Sequence, residues 1–359
     1  MKQPNSLLEF VFREWLLLAS AFGLAAVSLY LKHIPWLTVS EQETLVLLWL
    51  LLVAVKGLEN NGLLAALARR VDQGRLLPLK LVLLTFGLSA VVTNDVALVV
   101  VVPLTLSLNV RSKEMLVILE AFAANVGSAF TPFGNPQNIL IFRTYHVGVL
   151  QFFKCIAPFS GVFLSILAVA ALCLKTTQQP RKAQQPADNT AAQRTAYIWL
   201  VLLSVVVLSV LRVLPLAAGV VVPVWAVLFD RRSLKVDYLL LATFFCFFSL
   251  SEGVLEILPS RLEHSAHIFV LSAFSSQFIS NVPAAAIFAK FTTQWRSLLW
   301  GTNVGGFGSL VASFANLIAY KFYVAEHSLQ ESKRFAVKFV GLGYVMFLLG
   351  LLLYWSLQG

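Results

Sequence analysis

Apolar residues run almost without interruption from Leu81 to Leu108, and what interrupts them is one polar cluster at the middle, Thr93-Asn94-Asp95. Hydrocarbon offers no hydrogen-bond partner, so an unpaired polar group there costs several kcal/mol and an ionisable one about 2.5 to 3.5 kcal/mol. Such residues persist only where protein or a bound ion satisfies them. The two arms, 81–92 and 96–108, each reach about 18 to 20 Å at 1.5 Å per residue, short of a bilayer core of about 30 Å. Basic residues flank both, with Lys80 before and Arg111 and Lys113 after. The pattern predicts a re-entrant hairpin over 81–108 that enters and leaves on the cytoplasmic side, with Thr93-Asn94-Asp95 at its tip. The design recurs around Ile279-Ser280-Asn281-Val282-Pro283, where 267–279 and 283–291 predict a second re-entrant hairpin over 267–291.

The remaining apolar segments predict crossing helices. Phe12 to Leu31 is the first. Ala19-Ser20-Ala21 has the small-residue form of a signal-peptide cleavage site, but the internal symmetry requires this span to be retained. Glu43 to about Arg70 crosses with a bend. Met115 to Tyr145 contains Gly127, Pro132, Gly134 and Pro136; proline removes a backbone donor and clashes with the preceding turn, so 115–145 is expected to be a broken helix. Phe152 to Leu174 is a plain span, 175–194 a polar cytoplasmic linker, and 195–211 a connecting span. Spans at 216–229 and 238–258 follow, then a glycine-rich broken helix over 298–323 and a last span from Phe335 to Trp355.

An internal repeat organises these segments. Asn125-Val126-Gly127 and Asn138 in one half echo Asn303-Val304-Gly305 and Asn316 in the other, at the same spacing. Upstream, Thr93-Asn94 matches Ser280-Asn281, and Asn61-Gly62-Leu63-Leu64 resembles Glu252-Gly253-Val254-Leu255. One extra span, 195–211, turns the second unit over. The predicted fold is an all-α polytopic membrane protein with two inverted-topology repeats, 12–174 and 216–356, comprising about nine spanning helices, two re-entrant hairpins and two broken helices.

Composition agrees with this class. The 359 residues are 58% hydrophobic and 12% charged, with a mean hydropathy of +0.81, whereas a soluble domain carries about 25% charged residues. The net charge of +10 sits in short clusters between apolar segments, as the positive-inside rule expects, so nucleic acid is excluded as a partner. The clusters put the N-terminus in the cytoplasm, and the expected partner surface is the lipid bilayer. Cys155, Cys173 and Cys246 fit no metal or disulfide spacing and are read as core residues. No nucleophile arrangement or metal cluster points to an enzyme.

At each tip one short helix ends and another begins, so free carbonyls and free amides face the same small volume. Carbonyls and the side-chain oxygens of Asn94 and Asn281 suit a hard cation, which makes these a candidate Na+ site; no other cofactor is expected. Amides and the hydroxyls of Thr93 and Ser280 suit an anion.

The tips, together with Asn125-Val126-Gly127, Gly134-Asn135-Pro136-Gln137-Asn138 and Asn303-Val304-Gly305-Gly306, resemble the ion transporter superfamily. That group includes divalent-anion:sodium symporters, citrate transporters, ArsB-type arsenite permeases and NhaD-type sodium/proton antiporters. The likeness covers roughly 44–145 and 238–325, and is strongest to bacterial inner-membrane permeases described as anion transporters. It implies an elevator-like secondary transporter of a small anion, an inorganic oxyanion or carboxylate, coupled to Na+ or H+ and commonly a homodimer. It assigns substrate and ion binding to Thr93, Asn94, Asp95, Ser280, Asn281, Asn125, Gly127, Asn135, Asn138, Asn303, Gly305 and Asn316. Carboxylate symporters read Ser-Asn-Thr at both tips, whereas Asp95 and Val282 stand third here. That departure brings in a Na+/H+ antiporter or an arsenite-type efflux permease as alternatives.

Each residue also has a plainer reading. Asn94 and Asn281 suit helix caps, Asn125, Asn138, Asn303 and Asn316 suit interhelical hydrogen bonding, and Gly305 permits close helix contact. Lys56 and Glu59 suit an internal ion pair, and Glu120 either snorkels or faces a cavity.

Overall fold

The computed structural model describes residues 14–70, 76–108, 110, 112–174, 190–258, 262 and 264–358. Helices α1 (Trp15–Leu31) and α2 (Val39–Asn60) open the chain, and the short α3 (Leu63–Arg70) follows a turn at Gly62. Thr93 alone separates α4 (Leu77–Val92) from α5 (Asn94–Ser107). A broken helix follows as α6 (Lys113–Phe130) and α7 (Pro136–Thr144), then the long α8 (Val149–Cys173). The second half has α9 (Thr190–Val210), a 3₁₀ turn Leu216–Val220, α10 (Val221–Phe229) and α11 (Tyr238–Ile257). Ser280 separates α12 (Ser265–Ile279) from α13 (Asn281–Phe291), and α14 (Trp295–Gly305) and α15 (Phe314–Glu326) are the second broken helix. The chain closes with α16 (Leu329–Gln358).

Among the described residues there are helices and no strands. Three runs, Val149–Cys173, Arg231–Ile257 and Leu329–Leu357, are each long and apolar enough to cross a membrane. Their outward side chains, with those of α1, are apolar and exposed, such as Phe22 at 78% and Leu352 at 66%. A soluble protein does not leave a band of this kind facing water. The protein is an all-α polytopic membrane protein.

Helix starts follow local chemistry. Glu41 accepts the Thr38 amide at 2.9 Å at the head of α2, which is half of a capping box. Asn135 caps α7 by accepting the Asn138 amide at 2.9 Å, with Pro136 as the first helical residue. Ser313 caps α15 through the Ala315 amide. Helix packing follows the repeat: α4 lies along α6, and α12 along α14. Both contacts depend on glycine. A Cβ at Gly127 would run into the Phe86 carbonyl, and one at Gly305 into Ser276. On the far side of the second break, Phe307 fills an aromatic cluster with Phe122, Phe159 and Phe163.

Several expected boundaries move. The long 43–70 segment is two helices, because α2 stops at Asn60 and Gly62 takes φ +70°. The 216–229 span is a 3₁₀ turn followed by a nine-residue helix. Prolines 215 and 223 bracket it, and Gly219 approaches Leu50 too closely for any side chain. Helix α9 begins at Thr190, inside the expected linker, whose residues 175–189 lie outside the described set, as do Phe12 and Arg13. Of the cysteines, Cys173 is exposed and not core, Cys246 is half-buried, and Cys155 is half-buried against the core. Glu120 does not snorkel; it is fully buried and accepts the Thr105 hydroxyl of α5 at 2.5 Å, while its second oxygen, Oε2, has no partner.

Candidate functional site

Both tips are sharper than the hydropathy pattern suggests. The break in each pair is one residue with positive φ, Thr93 at 107° and Ser280 at 73°, and the asparagine after it already opens the next helix. Non-glycine residues adopt such angles at a cost, and do so where surrounding structure holds them. What holds them is the same in both halves. The Asn94 amide donates to the Gly134 carbonyl at 3.3 Å, and the Asn281 amide to the Ala312 carbonyl at 3.0 Å. Each tip is thereby tied to the unwound stretch of its own half's broken helix.

The asparagines of the repeat join the halves. Asn125 Nδ2 donates to Asn316 Oδ1 at 2.8 Å, and Asn303 Nδ2 donates to Asn138 Oδ1 at 3.0 Å, one contact being the other with the halves exchanged. Asn138 turns its own amide onto the carbonyls of Ser128, Ala129 and Thr131, the free C-terminal end of α6. Asn316 does likewise for Gly306 and Ser309 at the end of α14. Helix ends leave orphan carbonyls that cannot stay unpaired away from water, and here two side chains satisfy them from within. Asn94 Nδ2 reaches Asn125 Oδ1 at 3.4 Å, and Asn135 Nδ2 reaches Asn303 Oδ1 at the same distance.

Four helices start around one narrow cleft. It is lined by Asn94 and Asp95 of α5, Pro136 and Gln137 of α7, Asn281 and Val282 of α13, and Ser313 and Phe314 at the head of α15, with Leu240 and Phe244 of α11 as the remaining wall. Each helix N-terminus carries roughly +0.5 of an elementary charge, so the cleft sits where about two positive charges converge. From it, α5 packs along α15, while α7 packs along α13. The cleft has room for about 10 Å³, roughly one water. Two buried oxygens at its wall have no hydrogen-bond partner, Asp95 Oδ1 and Gln137 Oε1.

The far ends of α7 and α13 are fastened. Tyr145 donates to the carbonyls of Ala289 and Thr292 at 3.0 and 2.9 Å. Lys290 pairs with Glu41 of α2 at 2.8 Å and Glu252 of α11 at 2.5 Å, and Arg143 pairs with Glu43. A larger surface hollow of about 450 Å³, bordered by Asn60, Asn61, Asp230, Arg231 and Arg232, is separate from this network.

Of the residues singled out by sequence, Asn94, Asp95 and Asn281 line the cleft. Asn125, Asn135, Asn138, Asn303 and Asn316 form the network beneath it, and Thr93 and Ser280 make the turns. Gly127 and Gly305 lie away from it, at the α4–α6 and α12–α14 contacts. Sequence reasoning did not assign Gln137, Ser313 or Gln277. Gln277 donates to the carbonyls of Gly305 and Phe307 at 2.9 and 3.1 Å and accepts the Ser309 amide. Its signal was a long amide one turn before the second tip. For Gln137 and Ser313 the signal was the capping pattern that starts α7 and α15.

Known proteins share this sequence over most of its length. The chain is 31% identical over 299 residues to an uncharacterized transporter of Methanocaldococcus jannaschii, covering 78% of this chain and 81% of that one. It is 34% identical over 307 residues to the inner membrane protein YbiR of Escherichia coli, covering 80% and 81%. A silicon efflux transporter of Oryza sativa is 33% identical over 143 residues, 38% of this chain and 29% of the rice protein. The citrate transporter family model matches residues 8–305. With its helix starts gathered on one cleft and its relatives named as transporters, the chain belongs to the citrate transporter family of membrane transport proteins.

Proposed function

We propose that this protein is a secondary active transporter that carries a small anion, an inorganic oxyanion or a carboxylate, across a bacterial inner membrane in exchange for the energy of a Na+ or H+ gradient. The observation that carries the reading is the convergence of the α5, α7, α13 and α15 N-termini on a cleft lined by Asn94, Asn281 and Gln137. Oriented amides and helix dipoles bind anions without a cationic side chain, while the partnerless Gln137 Oε1, an acceptor, suits a cation or a protonated group at the same cleft. The carbonyl ends of α4 and α12, at Val92 and Ile279, offer oxygen ligands to sodium beside the same cleft. At about 24 and 21 Å, α4 and α5 are too short to cross alone, as are α12 and α13. Each pair enters and leaves by one face, the two pairs from opposite faces, with the N-terminus cytoplasmic. The cleft opens to either side in turn as α4–α8 and α12–α16 move against α2, α9 and α11, within a homodimer.

The test is uptake into proteoliposomes of a panel of anions comprising citrate, phosphate and sulfate, with Na+ or pH gradients. We expect gradient-dependent uptake of at least one member, reduced at least tenfold by Asn94→Ala or Asn281→Ala. Uptake that survived both substitutions would remove the cleft as the site. Asp95 favours a second reading, a Na+/H+ antiporter. Sodium-driven proton movement with no anion requirement, followed by a dye inside the vesicles, would establish it in place of the first.

A further inference from the structure

The surface hollow of about 450 Å³ takes no part in the cleft, yet its volume is within the range of about 300 to 1,000 Å³ usual for small-molecule sites. Parts of the chain far apart in sequence build it. Asn60 and Asn61 come from the end of α2, Thr195 from α9, and Phe229 and Asp230 from the end of α10. Arg231 and Arg232 open the 3₁₀ turn Arg231–Leu234 that follows.

Its charge is that of a receptor for one negative group. Both arginines are exposed, and among the described residues neither makes an ion pair. Arg231 gives only its Nε to the protein, to the Val227 carbonyl at 3.1 Å, which leaves its terminal N–H groups to spend. Asp230 also borders the hollow, and its Oδ2 accepts the Trp199 indole at 3.2 Å. Two guanidiniums less one carboxylate leave a charge of +1 around the space. A phosphodiester carries one negative charge, and a guanidinium fork matches two of its oxygens.

The surface beside the arginines is apolar. Val224, Val227, Leu228 and Phe229 of α10 are exposed, as is Val201 of α9, and on α10 this face ends at Asp230. Trp225 stacks on Phe229 with ring centroids 4.2 Å apart, and Tyr238 is exposed just past the 3₁₀ turn. Aromatic rings gather at the headgroup level of a bilayer, and basic clusters beside a span attract anionic lipid. We infer that the hollow seats the headgroup of an anionic phospholipid, with its phosphodiester on Arg231 and Arg232 and its acyl chains along the exposed face of α10. Bound there, the lipid bridges the end of α2 to α9 and α10. No residue of the hollow lines the cleft, so the site stands or falls independently of the anion reading above.

The experiment titrates the full-length protein in a neutral detergent and counts bound molecules by native mass spectrometry. The probes are phosphatidylglycerol, phosphatidylcholine and glycerophosphoglycerol, the soluble headgroup of the first without its acyl chains. One phosphatidylglycerol should bind about tenfold or more tighter than either of the others. Arg231→Gln and Arg232→Gln should each weaken it about fivefold, and together about thirtyfold. Lys235→Gln is the control, because Lys235 is exposed close by but does not border the hollow; it should change binding less than about twofold. Thermal midpoints in phosphatidylcholine should be the same for wild type and all variants, which separates loss of the ligand from loss of the fold. Phosphatidylglycerol binding no tighter than phosphatidylcholine overturns the inference. So does a loss at Lys235→Gln equal to that at either arginine, which would mean a diffuse basic surface. Glycerophosphoglycerol binding as tightly as the intact lipid also overturns it, by making the hollow a site for a soluble anion.

Discussion

The two halves solve one backbone problem by different means. Each must stop a helix inside the packed bundle and cover the bare carbonyls. The first does it in five residues, 131–135, with Thr131 reaching back to the Ala90 carbonyl at 2.9 Å. The second takes eight, 306–313, and needs Gln277 to span the gap to Gly305, Phe307 and Ser309. Ala90 and Gln277 hold equivalent places, four residues before Asn94 and Asn281. What both halves keep is the asparagine exchange and the paired tip amides; what they vary is the filling. The constant part is the frame, and among the varied positions a single acid, Asp95, stands opposite Val282.

Substitutions that break the frame should cost most. Asn138→Ala removes a partner from three carbonyls, of which Thr131 keeps the Gly134 amide, and from Asn303, which keeps the Leu299 carbonyl, and an unsatisfied buried group costs about 1 to 3 kcal/mol. A loss of about 3 kcal/mol or more, read as a fall in thermal midpoint, is expected. Asn316→Ala, which removes a partner from two carbonyls and from Asn125 while Asn125 Nδ2 still reaches the Gly306 carbonyl at 3.4 Å, should cost less. A larger effect at Asn316 would reverse this ranking of the halves.

Gly127→Ala should destabilise by about 1 to 3 kcal/mol through overpacking. The obstacle there includes the Phe86 backbone carbonyl, which cannot step aside. Gly305→Ala meets mainly the Ser276 side chain, so Gly305→Ala with Ser276→Gly should recover much of the loss. Equal recovery on combining Gly127→Ala with Ser89→Gly would show that the two helix contacts are alike after all.

Lys290→Met leaves Glu41 and Glu252 facing each other with the cation gone. Its side chain is 13% exposed, so the penalty for stranding a buried charge is softened by solvent to about 1 to 3 kcal/mol. The smallest effect, within about 0.5 kcal/mol, belongs to Lys56→Ala, whose 3.0 Å pair with Glu59 is about one-third exposed. A denaturation series in one detergent would rank all six single substitutions.

Much of this was legible because hydrocarbon punishes error. A polar residue in an apolar run needs a reason, so Thr93-Asn94-Asp95 and Ser280-Asn281 announced themselves, and the matched spacing of Asn125, Asn138, Asn303 and Asn316 announced the repeat. Membrane depth and inverted orientation follow from segment length and basic flanks, and stay within the proposal. The pattern did not reveal which asparagines face the cleft and which cover helix ends, since both duties ask for the same amide. Nor did it reveal Gln137, whose position depends on how α7 turns after Pro136. The 216–229 segment misled because apolar content was high while Pro215, Gly219 and Pro223 broke the geometry.

The tightness of the cleft has a consequence for the cell. Moving one elementary charge through the membrane potential releases about 2.3 kcal/mol per 100 mV, so any continuous wet path would drain an energised membrane. Phe244, Leu240 and Val282 press against the asparagines until only one water's worth of space is left. At this point the described residues leave no continuous wet path for charge.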